Sequence, residues 1–163
     1  MKNIDADELI KFYGLRAHPE GGYFRETYRS AEKADFPGIG ARNFSTAIHF
    51  LLDAGARSRL HRIKADELWH FHLGGPLAIA QIYPDGRTEN TILGTDIRAG
   101  QRLQHAVPAG CWFGACPGEG TEFSFVGCTV SPGFDFADFE LGSRAELLRR
   151  FPGAAELINK LTD

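Results

Sequence analysis

The residues in this sequence best suited to chemistry lie close together between Gly55 and Gly75. This stretch, GARSRLHRIKADELWHFHLGG, contains three His, the acidic pair Asp66-Glu67 and one Trp. Imidazoles and carboxylates are the groups that most often move protons or bind metal ions in proteins. The stretch therefore indicates acid–base catalysis or metal binding, and the other elements must position it.

Strand alternation separates the histidines of this stretch into two groups. With Glu67 pointing into a barrel, Trp69 and Phe71 point inward too, because alternate side chains of a strand share a face. The two histidines that flank Phe71 then lie on the outer face. We therefore expect the chemistry to involve His61 and Glu67, with the later histidines in a structural role.

The composition indicates a β-rich globular protein without a polyanionic or lipid partner. The chain has 163 residues, most simply one domain over 1–163, with 43% apolar and 24% charged residues. The 19 Gly and 13 Phe favour the turns and aromatic strands of an all-β sandwich or barrel. A net charge of -3 predicts no binding of nucleic acid or an anionic membrane. No apolar run approaches the roughly 18 residues of a membrane span, and MKNIDADE has no signal core, so we expect a cytoplasmic protein.

Capping and turn signals outline the order of the elements. Asp5-x-x-Glu8 is a helix capping box, and Gly and Pro turns separate short apolar-aromatic runs, as in a sandwich or barrel. The predicted elements are a helix over 5–13, a barrel over about 20–141 and helices over 143–161. The alternation FDFADFEL predicts a strand over 134–141, whereas 31–43 is typical of a loop.

The spacing around His61 resembles the first motif of the cupin superfamily, Gly-x5-His-x-His-x3-Glu-x6-Gly. The matching positions are Gly55, His61, Glu67 and Gly74. Ile63 occupies the position of the second His. Of the second motif, Gly-x5-Pro-x-Gly-x2-His-x3-Asn, the chain matches the Pro-x-Gly core in VPAG, and a Phe, residue 113, stands at the His position.

Longer segments extend this resemblance to a small cupin branch catalogued as a domain of unknown function. HPEGGYFRETYRS, ELWHFHLG, VPAGCWFGA and GCTVSPGFDFADFEL occur here in the matching order. The resemblance implies an all-β double-stranded β-helix, the cupin jelly-roll barrel, with short N- and C-terminal helices. It also implies a homodimer.

Cupins that bind a metal hold a divalent ion with three imidazoles and one carboxylate from the two motifs. Here the matching positions supply only His61 and Glu67, and two ligands do not form a tight transition-metal site. We therefore expect no cofactor. The alternative is a divalent metal at His61 and Glu67, joined by imidazoles such as His49 or His105, in a metal-dependent oxygenase or hydrolase.

A metal-free alternative comes from the cupin-fold epimerases that act on deoxythymidine-diphosphate sugars with a His base. The segment GYFRE, residues 22–26, is similar to one of theirs, and Arg59 precedes His61 as a basic residue precedes their catalytic His. His61 would act as the base that removes a proton next to a carbonyl. Glu67 would orient it or serve as the partner acid.

The remaining candidates are ligand contacts. Their residue types suit a charged group beside a flat ring. Predicted ligand contacts are Arg25, Glu26, Arg59, Trp69, Phe71 and Trp112. The cluster that includes His18 and Glu20 is either a solvated loop or part of a binding site. We predict a small-molecule-binding cupin with epimerase- or isomerase-like chemistry on a sugar or nucleotide-linked substrate; the alternative is a non-catalytic ligand-binding protein.

Overall fold

Two antiparallel sheets, built from short strands with apolar inner faces, form the body of the protein. The computed structural model describes residues 4–163. Its helices are α1 Ala6–Tyr13, α2 Arg144–Arg150 and α3 Ala155–Leu161. Its strands are β1 Arg16–Ala17, β2 Tyr23–Arg29, β3 Lys33–Phe36, β4 Gly40–Asn43, β5 Thr46–Asp53, β6 Ser58–Arg62, β7 Asp66–Gly74, β8 Leu77–Ile82, β9 Thr88–Leu93, β10 Gln104–Val107, β11 Trp112–Pro117, β12 Phe123–Ser131 and β13 Glu140–Leu141.

The strand order is that of a jelly roll. One sheet has the order β1-β2-β5-β12-β7-β10, and the other has the order β13-β6-β11-β8-β9. Strands far apart in sequence are neighbours, as where β12 pairs with both β5 and β7. This arrangement is the double-stranded β-helix that the resemblance implied.

The main core lies between the two sheets and is dominated by aromatic and branched side chains. Trp69 from one sheet and Phe113 from the other meet edge to face, with ring centroids 6.3 Å apart. Both are about 1% exposed. Apolar side chains of these sizes account for most of the favourable burial energy in such a fold.

The helices cover the outer faces of the sheets. Leu9 of α1 packs with Leu51 and Phe125 on the larger sheet, and α1 has the capping box predicted from Asp5. Helices α2 and α3 pack on the outer face of the smaller sheet through a second apolar cluster that includes Trp112. Among the described residues, no helix has the length and apolarity needed to span a membrane.

Two local predictions were wrong. Residues 31–43 contain the hairpin formed by β3 and β4. In 134–141 only Glu140–Leu141 is a strand, and Phe136–Asp138 is a 3-10 helix. The Asp135 side chain accepts a hydrogen bond from the N–H of Ala137, which stabilises a turn in place of extended backbone. Asp135 of this alternating pattern therefore caps a turn, whereas Asp138 pairs with Arg42 and Glu140 with Arg62.

The turn that leads into β2, residues 18–21, passes very close to β6; it is called the entry turn below. Gly21 has a φ of 115°, and a Cβ added there would lie 2.1 Å from the carbonyl oxygen of Arg57. Only glycine tolerates both this backbone conformation and this close approach. The Gly pair of the HPEGGY segment is thus needed for the entry turn to lie against the barrel.

Gly21→Ala is expected to lower the free energy of unfolding by more than about 3 kcal/mol, because positive φ strain is joined by a backbone clash. Gly38→Ala is the matched control, since Gly38 has a φ of 76° and nothing within 4 Å of the added Cβ. We expect the control to lose only about 1 kcal/mol. Denaturant unfolding of both variants measures the difference, and equal losses would contradict this account of the entry turn.

Candidate functional site

A cavity of about 270 Å³ lies between the two sheets, beneath the segment that follows β12. Its lining comes from β2, β5, β6, β7, β12, the entry turn and the segment 132–139, called the cover segment below. The lining residues are His18, Glu20, Phe24, Glu26, Arg29, Thr46, Ile48, Phe50, His61, Ile63, Glu67, Cys128, Val130, Phe134, Asp135 and Phe136. Polar groups therefore converge in a mostly apolar cavity, as is typical of small-molecule sites.

Four Phe rings give the cavity flat apolar walls. Phe24 and Phe50 come from adjacent strands, β2 and β5, where they are direct cross-strand partners. Phe134 and Phe136 come from the cover segment and meet edge to face with centroids 5.0 Å apart. Both groups of rings are lining residues. A planar, partly apolar molecule would match these walls best.

Glu20 is the buried carboxyl of the site, at 6% exposure. Its Oε1 accepts a hydrogen bond of 2.7 Å from the Ser58 hydroxyl. Its Oε2 lies 3.1 Å from Nε2 of His61. The entry turn brings Glu20 to this position, and β6 supplies both partners, Ser58 and His61.

The contact between Glu20 and His61 contains one proton. Nδ1 of His61 lies 2.7 Å from the carbonyl oxygen of Arg59, which can only accept, so Nδ1 carries a hydrogen. In neutral His61, Nε2 is then an acceptor, and the hydrogen between Nε2 and Oε2 belongs to Glu20. Were the proton on Nε2, the pair would be an imidazolium and a carboxylate.

Burial decides where this proton rests. It raises the pKa of Glu20, and it lowers the pKa of His61 to about 4. Both directions follow from the cost of placing a charge in a cavity with little water. With Nδ1 bonded to the Arg59 carbonyl and His61 neutral, the 3.1 Å contact places the hydrogen on Oε2 of Glu20, which donates to the imidazole.

His18 is neutral for a similar reason. Burial lowers its pKa, and its Nδ1 accepts a hydrogen bond of 3.2 Å from the backbone N–H of Glu20. Its hydrogen is therefore on Nε2. Its ring packs edge to face on Phe24, with centroids 4.4 Å apart. His18 thus adds one N–H donor to the lining.

Glu67 is a second buried carboxyl on the same cavity, at 7% exposure. Burial, together with the neighbouring Glu20 carboxyl, raises its pKa to about 8. The Cys128 thiol beside it has a pKa raised well above its usual range, also chiefly by burial. At neutral pH Glu67 is consequently a proton donor, with an uncharged thiol as its neighbour.

Arg29, a cationic side chain of the lining, is already paired. Nε and Nη2 of Arg29 donate to the two carboxylate oxygens of Glu26 at 2.9 and 2.7 Å. Its remaining bonds go to the side chain of Asn43 and the carbonyl of Phe134. Arg29 therefore anchors the cover segment, and Glu26 neutralises its charge.

Of the predicted site residues, His61, Glu67 and Glu26 line the cavity. Arg25 is the neighbour of Glu26 on β2, so it points to the other face, where it donates to the carbonyl of Tyr13 at 2.9 Å. Arg59 lies outside the lining and pairs with Asp163.

The three predicted aromatic contacts lie in apolar packing and are not lining residues. Trp69 faces inward as expected but is in the main core, where it packs against Phe50 and Phe113. Phe71 packs on the edge of the same core. Trp112 precedes the inward-facing Phe113 on β11 and therefore faces α2 and α3. The sequence pattern predicted that these rings are inward-facing or buried. It could not distinguish a residue of the cavity wall from a residue of the hydrophobic core.

The sequence pattern did not assign roles to Glu20, His18 or Ser58 in the site. The available signal was the HPEGGY segment, in which a Gly pair follows an imidazole and a carboxyl. The four Phe of the walls carried no signal of their own. Their position follows from strand pairing and from the cover segment.

The residues present do not fit the metal site that the cupin motifs describe. Ile63 and Phe113 put apolar side chains at two ligand positions, and Nε2 of His61 faces Glu20. His49 contacts Tyr13, and His105 bonds to Gln81, a residue outside the cavity lining. Within residues 4–163 no group of three or more His, Cys, Asp or Glu has metal-binding geometry.

Comparisons with known proteins agree on one family. Protein SO0799 from Shewanella oneidensis is 44% identical, with a TM-score of 0.90 over 99% of both chains. A hypothetical protein from Leishmania major is 35% identical, with a TM-score of 0.90 over 98% of this chain and 99% of that one. Uncharacterized protein YML079W from Saccharomyces cerevisiae is 32% identical over 166 residues, which cover 92% of this chain and 83% of the relative. Residues 7–142 match the family described as "Cupin superfamily (DUF985)", and with these relatives the match shows that the chain belongs to this branch of the cupins.

Proposed function

We propose that this cupin binds a small uncharged carbonyl compound and moves protons on it, as an isomerase or epimerase does. Membership of the cupin superfamily supports small-molecule binding. The observation that carries the chemistry is the 3.1 Å contact between Oε2 of Glu20 and Nε2 of His61, on a cavity that Glu67, with a pKa raised to about 8 by burial, also lines. Two proton-exchanging groups on one small cavity are what a proton shift requires.

The cavity favours an uncharged substrate. About 270 Å³ accommodates a molecule of roughly one ring with its substituents. Burial raises the pKa of Glu20 and Glu67 and lowers the pKa of His18 and His61, so these groups disfavour charge, and Arg29 is already paired with Glu26. Arg25 and Arg59, predicted to hold a phosphate, both lie outside the lining. A free sugar or similar hydroxy ketone therefore suits the cavity better than a nucleotide-linked one.

The proposed reaction begins with both acids protonated. Glu67 donates its proton to the carbonyl oxygen of the substrate, and Oε2 of Glu20 accepts the proton from the adjacent carbon. The proton already on Glu20 passes to Nε2 of His61, which becomes an imidazolium. The products of this step are an enol, the Glu67 carboxylate and a cation on His61, so charge and protons balance.

The second half returns the protons in reverse order. Glu20 delivers its proton to the other carbon of the enol, or to the other face of the same carbon, and recovers a proton from His61. Glu67 takes back the hydroxyl proton. The Arg59 carbonyl stays bonded to Nδ1 of His61 throughout and stabilises the imidazolium. His61 thus acts as the proton store behind Glu20, since both of its ring nitrogens already have partners.

We expect the protein to incorporate deuterium from heavy water at the carbon next to the carbonyl of hydroxyacetone, an uncharged hydroxy ketone. Glu67→Gln should reduce the rate by about 100-fold or more, because the amide cannot protonate the carbonyl oxygen. NMR of the recovered compound measures the exchange. Glu140→Gln, an exposed surface carboxyl on β13, is the control and should match the wild type.

Hydroxyacetone that raises the melting temperature but returns without deuterium would contradict the catalytic proposal. That result would favour the non-catalytic alternative, a ligand-binding protein. Equal exchange in wild type and Glu67→Gln would remove Glu67 from the reaction.

The ionisation of Glu67 should also appear in stability. Its pKa rises from 4.5 in the unfolded chain to about 8 in the folded protein, so the folded state binds its proton more tightly. That contribution to stability is complete below the unfolded pKa and is lost as pH rises through the folded one. Between about pH 6 and pH 9 the wild type should lose about 3 kcal/mol that Glu67→Gln retains.

Urea unfolding of both proteins across this range measures the effect. Glu140→Gln is again the control and should follow the wild type. Parallel pH curves for the wild type and Glu67→Gln would mean that Glu67 is ionised in the folded protein at neutral pH.

A further inference from the structure

Residue 59 touches both halves of the proton-sharing pair through its backbone. Its N–H donates to the carbonyl of Glu20 at 2.9 Å, and its own carbonyl accepts from Nδ1 of His61 at 2.7 Å. The backbone of β6 thus fixes the tautomer of the imidazole and one point of the entry turn. Neither bond depends on the identity of the side chain at this position.

The side chain of Arg59 adds contacts that only a guanidinium can make together. Nη2 donates to the carbonyl of Pro19, and Nε makes a longer contact, 3.4 Å, to the carbonyl of Glu20. Nη1 pairs with the carboxylate of Asp163. Arg57 binds the same carboxylate, with Nη2 of Arg57 2.7 Å from Oδ1 of Asp163. One planar cation therefore joins Asp163 to two consecutive carbonyls of the entry turn.

The entry turn needs such an anchor. Its last residue is Gly21, and Gly22 follows it; both have positive φ and no side chain to pack. A glycine pair leaves the backbone with more freedom than any other residues would. Without other restraints, the carboxyl of Glu20 would move relative to His61.

Arg59 makes these contacts from the side of the entry turn that faces away from the cavity. It lies in a surface depression with Pro19, Arg57 and Asp163. This depression shares His18 and Glu20 with the cavity, but Arg59 itself is absent from the cavity lining. A ligand in the cavity therefore does not touch it. Arg59 therefore acts on the reaction indirectly, through the entry turn that it binds and through its charge, which lowers the pKa of Glu20.

We infer that Arg59 is a positioning residue: its guanidinium, clamped by Asp163, holds the entry turn in place. The held turn keeps Glu20 within proton-sharing distance of His61. An effect of Arg59 on the reaction rate rests on the proposed function, whereas its effect on the distance between Glu20 and His61 does not. This role differs from the phosphate contact predicted for Arg59 from the sequence.

The test is the nitrogen-15 NMR signal of Nε2 of His61 in Arg59→Met. This variant keeps the backbone bonds of residue 59 and removes every guanidinium contact. We expect the Nε2 signal to move towards that of an unbonded ring nitrogen, while Nδ1 stays protonated through the Arg59 carbonyl. Arg57→Met loses its ion pair with Asp163 but no contact to the entry turn, so its spectrum should match the wild type.

Two results would overturn the inference. One is an unchanged Nε2 signal in Arg59→Met. The other is an equal change in Arg57→Met, because loss of the Asp163 pairing alone would then suffice. Should Arg59→Met fail to fold, Arg59→Gln, which is polar but shorter, is measured against the same control and judged by the same two results.

Exchange kinetics separate this inference from the proposed function. Where the wild type exchanges deuterium into hydroxyacetone, Arg59→Met should lower kcat by about 10-fold or more and leave KM nearly unchanged, because Arg59 does not touch the ligand. A rise in KM alone would contradict a positioning role. If the wild type shows no exchange, the proposed function fails, and the NMR result still decides the role of Arg59.

Discussion

The burial of one shared proton is the constraint on which the candidate site depends. Glu20 and His61 lie 3.1 Å apart with almost no exposure, so a charge on either is costly and the pair stays neutral by sharing. The entry turn, its glycines and Arg59 all serve to keep this contact. The same dry surroundings raise the pKa of Glu67, which makes two acids available on one cavity.

The protein keeps the cupin framework while changing what the framework holds. His61 and Glu67 remain at their motif positions, but Ile63 and Phe113 replace imidazoles with apolar side chains. Glu20, which lies outside both motifs, contacts Nε2 of His61. The resulting cavity has carboxylic acids and neutral rings, which suits proton transfer in an apolar space.

The cover segment shows how distant residues complete the cavity. Arg29 donates to the carbonyl of Phe134. Arg42 donates to both carboxylate oxygens of Asp138 at 2.7 and 2.9 Å, and this pairing holds the pKa of Asp138 below its usual range. These bonds fix two Phe rings over the polar groups. Periodicity alone predicts a strand here, because alternating aromatic and acidic residues look the same in a strand as in a pinned turn.

Alternation and motif spacing, which are local properties of a chain, predicted the fold class and the inward-facing His61 and Glu67, but they missed the hairpin of β3 and β4. Only the tertiary structure decided which side chains meet. Ser58 and Glu20 are 38 residues apart in sequence yet bonded, since the entry turn lies against β6. Likewise Trp69 and the Phe rings of the cavity are all inward-facing aromatics. The packing of the two sheets and the cover segment, which no local pattern encodes, places Trp69 in the core and the four Phe rings in the cavity walls.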